Sequence, residues 1–289
     1  MDSGTGMEKV TDWITLWKQL VEKQGPFWNR KKRSENNEDK WKDRAKGFYT
    51  RVKERWSKPD PHRDFIISLI SSVKDATVLD IGAGTGAWAV LLSKSVRKIT
   101  AVEPSSEMRE ILKENLENEG INNVEIIDKF WPVPGMAMHD FSLSSHSVYG
   151  CEDLEGFISA MTRATRHTCF MLLRAPDHNG IMARAASRIW GQPNDSPNFQ
   201  VAYNSMLQMG MFPNILMEEK GMWPGWTNRN FEEAFEQFRS RFGLEGDSEH
   251  DPFLMALLKA NLEEKDGKVR WPSELRTALV YWNTLNRQD

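Results

Sequence analysis

Three glycines on alternate positions, Gly82, Gly84 and Gly86, separate an apolar run from an amphipathic one in the stretch VLDIGAGTGAWAVLL, residues 78–92. Glycine at a strand-to-helix junction costs backbone entropy. Its use at all three positions therefore indicates that a Cβ atom there would obstruct something that must lie close to the backbone. The amide N–H groups of such a loop, and the N-terminus of the helix that follows, can face a ligand. The sequence therefore predicts a loop whose backbone contacts a ligand.

Two acidic residues flank this loop and indicate which ligand it takes. Glu103 ends the next predicted strand, and the carboxyl ends of adjacent parallel strands line one crevice. A carboxylate there can accept hydrogen bonds from both hydroxyls of a ribose. Asp80, two positions before Gly82, would repel a pyrophosphate but suits a cationic amino group. The spacing G-x-G-x-G also differs from the dinucleotide fingerprint G-x-G-x-x-G. We therefore expect a nucleoside cofactor that carries an amino group.

Taken together, VLDIGAGTG and AVEPSSEM resemble the first two motifs of class I S-adenosylmethionine-dependent methyltransferases, and the resemblance covers roughly residues 40–175. It implies that the cofactor is S-adenosyl-L-methionine, with S-adenosyl-L-homocysteine as the product. It also implies cofactor-binding roles for residues of the glycine loop, of the segment at the end of the second strand and of the end of the fourth strand. These residues are Asp80, Gly82, Ala83, Gly84, Gly86, Glu103, Pro104, Ser105 and Ser145.

Two further sets of cofactor residues follow from the same resemblance. After the third strand this chain has DKFW where the family often has GDA, so aligning by the strand places Phe130 and Trp131 near the adenine. Asp128 is the alternative contact. Tyr49 and Arg51 lie in the helix before the first strand, where such enzymes close over the cofactor carboxylate. Arg51 could equally form a surface ion pair.

The end of the fourth predicted strand, SSHSVYG, faces the transferred methyl group in this architecture. His146 is the candidate general base if the acceptor is a hydroxyl, thiol or acidic carbon, and Tyr149 is the second candidate. The alternatives are an ordinary loop histidine and a tyrosine that serves as pocket wall. The motif [DN]-P-P-[FYW] is absent, which argues against exocyclic base amines as acceptors.

Alternating strands and helices predict the fold. We expect an α/β, doubly wound, mostly parallel seven-stranded sheet with helices on both faces, and the resemblance implies an antiparallel last strand. Residues 1–60 would form an N-terminal helical lid and 61–175 the cofactor-binding core. Residues 176–230 would be a helical insertion after strand 5 that forms the acceptor pocket, and 231–289 would complete the core. Helices are also predicted over about 229–242 and 251–264.

The composition and net charge of the chain argue against several classes of function. The 289 residues carry a net charge of −3, so no global basic field favours nucleic acid or an acidic membrane surface. No apolar run approaches the roughly 20 residues of a membrane span. The two cysteines, Cys151 and Cys169, lack metal-ligand spacing, so we expect a cytoplasmic protein without a metal site.

The expected function is methyl transfer to a small-molecule acceptor, apolar or aromatic, because a segment rich in methionine and tryptophan (residues 182–226) should border the crevice. One alternative is an RNA or protein methyltransferase, which would require a basic face around residues 30–33 and 44–55. The other is a non-methylating protein that binds an S-adenosyl nucleoside. A homodimer is a further possibility, because exposed methionine and tryptophan surfaces are often contacts.

Overall fold

The computed structural model describes residues 11–23, 41, 45–220, 222–223, 225–273 and 275–284. Its main feature is a seven-stranded sheet. The strands are β1 (Thr77–Ile81), β2 (Lys98–Val102), β3 (Val124–Ile127), β4 (His139–Ser145), β5 (Thr165–Ala175), β6 (Asn214–Met217) and β10 (Arg276–Asn283). They are arranged in the order β3-β2-β1-β4-β5-β10-β6, which confirms the predicted sheet.

Strand directions follow the expectation. The pairs β1–β2, β2–β3, β1–β4 and β4–β5 are parallel, whereas β10 is antiparallel to both β5 and β6. The chain order reverses between β1 and β4, so the carboxyl ends of these two strands border the crevice where open α/β sheets bind ligands.

Helices cover both faces of the sheet. They are α1 (Trp13–Lys23), α2 (Ala45–Trp56), α3 (Pro61–Ser71), α4 (Ala87–Leu92), α5 (Ser106–Asn118), α6 (Leu154–Arg163), α7 (Ile181–Trp190), α8 (Phe199–Gln208), α9 (Phe231–Arg241) and α10 (Asp251–Asn261). One buried cluster joins α1, α6 and α8 to the sheet through Trp17, Phe157 and Met206. A second joins α3, α4 and α5 to the opposite face.

A small hydrophobic unit stands apart from the two faces of the sheet. It consists of α7, α9, α10 and a three-stranded sheet of β7 (Thr227–Asn228), β8 (Glu263–Lys265) and β9 (Lys268–Arg270). Ile181, Phe238, Leu254 and Trp271 form its core. The expected helix over 251–264 is therefore too long, since α10 ends at Asn261 and its last predicted residues belong to a hairpin.

The N-terminal helices have different environments. Trp17 of α1 is fully buried, and its indole Nε1 donates a hydrogen bond to the carbonyl of Cys151, 2.8 Å away. Helix α1 is therefore part of the core, whereas α2 lies at the crevice. The basic run at residues 30–33 lies outside the described residues. None of the described helices is long and apolar enough to cross a membrane.

Candidate active site

A cavity of about 620 Å³ opens at the carboxyl ends of the central strands. Its size is within the range of roughly 300–1,000 Å³ that is usual for small-molecule sites. The loop after β1, the ends of β2 and β4, and helix α2 surround it. The predicted residues that line it are Asp80, Gly82, Ala83, Gly84, Glu103, Pro104, Ser105, Phe130, Ser145, His146 and Tyr149.

The three loop glycines all have positive φ angles, but they serve different needs. A Cβ atom at Gly82 would overlap the side chain of Ser147, and one at Gly86 would overlap Leu112. A Cβ atom at Gly84 would find its nearest neighbour 4.0 Å away, at the carbonyl oxygen of Gly82. Gly82 and Gly86 thus permit close packing of the protein on itself, and Gly84 is the glycine with open space beside it.

The carboxylate of Glu103 is held in place by the backbone. Its Oε2 accepts a hydrogen bond from the amide of Gly84, and its Oε1 accepts one from the amide of Ser105, each at 2.8 Å. The residue is 6% exposed and lines the cavity. These two bonds orient the carboxylate, and each oxygen of a carboxylate can accept more than one hydrogen bond. This geometry fits the pair of hydroxyls on a ribose.

Asp80 lies beneath the same loop and is 2% exposed. Burial, together with the nearby Glu103 carboxylate, raises its pKa to about 7. Among the residues that the structure describes, none donates a hydrogen bond to its Oδ2 atom. A buried carboxylate oxygen without a donor is costly unless a cation or donor binds to it. Asp80 therefore fits the amino group of the expected cofactor.

His146 follows β4 with a φ of +53°, in the left-handed region that side chains seldom adopt. Its Nδ1 lies 2.9 Å from the Tyr149 hydroxyl, which also accepts a hydrogen bond of 2.5 Å from the backbone amide of Arg174. Burial, Arg174 and other nearby cations lower the pKa of His146 to about 4, and burial raises the pKa of Tyr149 to about 12. Both side chains are therefore neutral at pH 7.

Four predicted cofactor residues do not line the cavity, and their placement corrects the expectation. Trp131 is 4% exposed and donates from Nε1 to the carbonyl of Phe157, so its ring belongs to the core. The hydroxyl of Tyr49 donates to Asn115, the side chain of Arg51 is exposed, and Gly86 packs against α5. None of these four residues is among those that line the cavity.

Arg55 is a cavity residue that the sequence reasoning missed. It is 2% exposed and forms ion pairs with Asp60, at 3.0 Å, and with Glu218. Phe48 and Val52 lie on the same face of α2, so the helical period was the signal that could have found it. Asp60, His62 and Glu218 place possible metal-ligand atoms within 4.8 Å of one another. Arg55 binds both carboxylates, so these groups form a buried ion-pair network.

Asp128, Arg109, Arg174 and Trp223 also line the cavity. Asp128, the alternative adenine contact, accepts two hydrogen bonds from Arg109, at 2.6 and 2.7 Å. Trp223 is the one described residue of 176–230 in the cavity wall, so most of that methionine- and tryptophan-rich segment packs elsewhere.

Comparisons with known proteins agree with this geometry. Residues 78–168 match the model of a family described as Methyltransferase domain. Ribosomal RNA small subunit methyltransferase A of Mesoplasma florum is 33% identical over 67 residues, which are 22% of this chain and 25% of that protein. Protein-L-isoaspartate O-methyltransferase 2 of Nitrosococcus oceani is 30% identical over 82 residues, 26% of this chain and 37% of that protein. The chain thus spans well under half the length of these relatives.

Among solved structures, a protein of Bacillus halodurans described as a methyltransferase candidate superimposes with a TM-score of 0.50 at 13% identity. The alignment covers 75% of this chain and 96% of that chain, so the two share a fold. The family match begins in β1 and ends in β5, and it includes both sequence motifs. Residues 78–168 of this chain therefore match a methyltransferase domain, and the described sheet has the class I fold that the two motifs predicted.

Proposed function

We propose that this protein transfers a methyl group from S-adenosyl-L-methionine to a small-molecule acceptor. The observation that carries the proposal is one cavity lined both by Asp80, Glu103 and Gly84, which we name the cofactor end, and by His146, which we name the acceptor end. The bound cofactor supplies a methyl group on an activated sulfonium. Because the leaving group is already activated, in-line positioning of the two reactants provides most of the catalysis.

The cofactor end assigns one task to each group. Asp80 binds the amino group of the methionine part through its unpartnered Oδ2, and the ionised carboxylate regains a charge partner. Glu103, oriented by two backbone amides, accepts hydrogen bonds from the ribose hydroxyls. Pro104, Ser105 and Phe130, which is 43% exposed, border the adenine.

At the acceptor end, His146 is the proposed base and Tyr149 is the residue that positions it. His146 is neutral at pH 7, and in the tautomer that donates from Nδ1 to the Tyr149 hydroxyl its Nε2 has a lone pair to accept a proton from the acceptor. Tyr149 holds the ring by its contact at Nδ1 and is itself held by the backbone of β5. The low pKa of His146 makes it a weak base unless the acceptor brings negative charge close to the imidazole.

Several features favour a small acceptor over a macromolecule. The rings of Trp56, Tyr149 and Trp223 line the cavity, so its walls suit an apolar or aromatic molecule. The net charge of −3 provides no general attraction for RNA. The second candidate is RNA methylation, which the match to the ribosomal RNA methyltransferase favours.

A labelling experiment separates these acceptors. The purified protein would be incubated with methyl-tritiated S-adenosyl-L-methionine and, separately, with a low-mass metabolite extract, total RNA or denatured protein. We expect label in the low-mass fraction alone, and we expect it to be lost on substitution of Glu103 by Gln. Label in RNA or protein would replace the proposed acceptor class.

A further inference from the structure

Two arginines line the cavity, the buried Arg55 and the half-buried Arg174, and each has a buried N–H group without a hydrogen-bond partner among the described residues. None of the described residues accepts a hydrogen bond from Nε or Nη1 of Arg55, or from Nε of Arg174. Both side chains line the cavity, and both lower the pKa of His146. Buried donors are almost always satisfied by protein, water or ligand, so three such atoms around one site require an explanation.

Aromatic rings connect the two arginines in a continuous arc. The guanidinium carbon of Arg55 lies 5.7 Å from the ring centre of Trp223, whose ring centre lies 5.6 Å from that of His146. Beyond His146 comes Tyr149, with the guanidinium carbon of Arg174 5.3 Å from its ring centre. Thr277 accepts a hydrogen bond of 2.8 Å from Trp223 Nε1 and fixes that ring. The arc therefore surrounds the proposed proton acceptor with flat surfaces and cationic ends.

Carboxylates offset the charge of Arg55 but not that of Arg174. Asp195 is bonded to Arg241 through Nε at 3.0 Å, and the Arg174 guanidinium instead donates to the Ser196 hydroxyl and to the carbonyl of Pro197 at 3.1 Å. Arg174 thus has no direct carboxylate partner among the described residues.

The charges around Arg55 are arranged differently. Its ion-pair partners, Asp60 and Glu218, also accept backbone hydrogen bonds, from His62 at 3.0 Å and from Thr277 at 2.8 Å. These two carboxylates already offset the charge of Arg55, but its Nε and Nη1 still have no acceptor among the described residues and can donate to a ligand.

We propose that the methyl acceptor is a small planar molecule with a carboxylate or similar anionic group, which Arg174 binds as its charge partner while Arg55 donates hydrogen bonds and the aromatic arc contacts its flat face. The proposal rests on the proposed function, because it names the acceptor class of the same site. Guanidinium and carboxylate groups form strong charge-assisted hydrogen bonds. An anion bound there would also offset the two cations that disfavour a proton on His146.

Matched acids and amides test the proposal. Calorimetry would compare benzoate with benzamide, and phenylacetate with phenylacetamide, on the full chain in the presence and absence of S-adenosyl-L-homocysteine. We expect each acid to bind at least about tenfold more tightly than its amide, since hydrogen bonds to charged groups exceed neutral ones. Substitution Arg174→Gln should reduce this preference to within about twofold, and Arg270→Gln, in the exposed β8–β9 hairpin, should leave it unchanged.

The remaining outcomes of the calorimetry distinguish a wrong acceptor class from a wrong cofactor. Equal binding of acid and amide, or no binding of either acid by a protein that binds S-adenosyl-L-homocysteine, would overturn the anionic acceptor while leaving methyl transfer intact. Failure of S-adenosyl-L-homocysteine to bind would contradict the proposed function. The comparison without it would then still decide whether the arginine pair binds anions. If Arg174→Gln fails to fold, the wild-type preference alone decides.

Discussion

Replacement of Asp80 by Asn should make the ligand-free protein more stable while it weakens cofactor binding. The native carboxyl has a pKa of about 7 against 3.8 for an ordinary aspartate. A raised pKa means that the fold favours the protonated form, so stability is present below about pH 4 and is lost as the pH rises to about 7. At about 1.4 kcal/mol per pH unit, the wild type loses roughly 3 kcal/mol between pH 5 and pH 7 that the Asn variant keeps.

Urea unfolding at pH 5 and pH 8 measures this difference. We expect the advantage of Asp80→Asn over wild type to be about 3 kcal/mol larger at pH 8 than at pH 5. The control is Asp140→Asn, because burial raises the pKa of Asp140 but is outweighed by hydrogen bonds from Thr77 together with the nearby Arg166 and His167, so the pKa is lowered. That variant should be less stable than wild type at pH 8. An Asp80→Asn advantage that is equal or smaller at pH 8 would refute the account of Asp80 as a strained buried carboxyl.

Three further predictions concern packing, charge and the cofactor site. Gly82→Ala should lower the free energy of unfolding by about 1–3 kcal/mol more than Gly84→Ala, because only the first overlaps a neighbouring side chain; equal losses in urea unfolding would contradict this. Arg55→Gln should cost about 3–5 kcal/mol by leaving two buried carboxylates without their cation, and a loss under about 1 kcal/mol would argue against a buried network. Trp131→Phe should leave the affinity for S-adenosyl-L-homocysteine within about twofold of wild type. Phe130→Ala should weaken that affinity by about tenfold, as expected for stacking worth about 1 kcal/mol or more. If calorimetry shows the larger loss for Trp131→Phe, Trp131 and not Phe130 contacts the adenine.

The sequence was sufficient to predict the sheet and the cofactor end of the cavity. Both depend on local signals: buried strands, the glycine loop and an acid at the next strand end. These signals lie within one short stretch of chain, so their spatial relation follows from the parallel topology.

Other errors were readable in the sequence but were not used. Pro61 is the first residue of α3, with Asp60 as the N-cap, and an aspartate followed by proline is a typical helix start in a sequence. Asp266 and Gly267, both with positive φ, form the turn between β8 and β9. An Asp-Gly pair is a strong hairpin signal, and it contradicts a helix that continues to residue 264.

The acceptor end could not be predicted, because it depends on contacts between distant segments. Arg55 meets Glu218 across more than 160 residues of chain, and Trp223 meets His146 across more than 70. Phe130 and Trp131 are adjacent in sequence but face opposite ways, one to the cavity and one to the core. Neither spacing nor composition carries that information.

Calorimetric titration with S-adenosyl-L-homocysteine, S-adenosyl-L-methionine and NAD tests the central claim most directly. The wild type and Glu110→Ala, a change on the exposed surface of α5, should bind both sulfur nucleosides with micromolar affinity and should not bind NAD. Glu103→Ala should lose that binding. Preferential binding of NAD, or no binding of either sulfur nucleoside by the folded wild type, would contradict the assignment of this cavity to S-adenosyl-L-methionine.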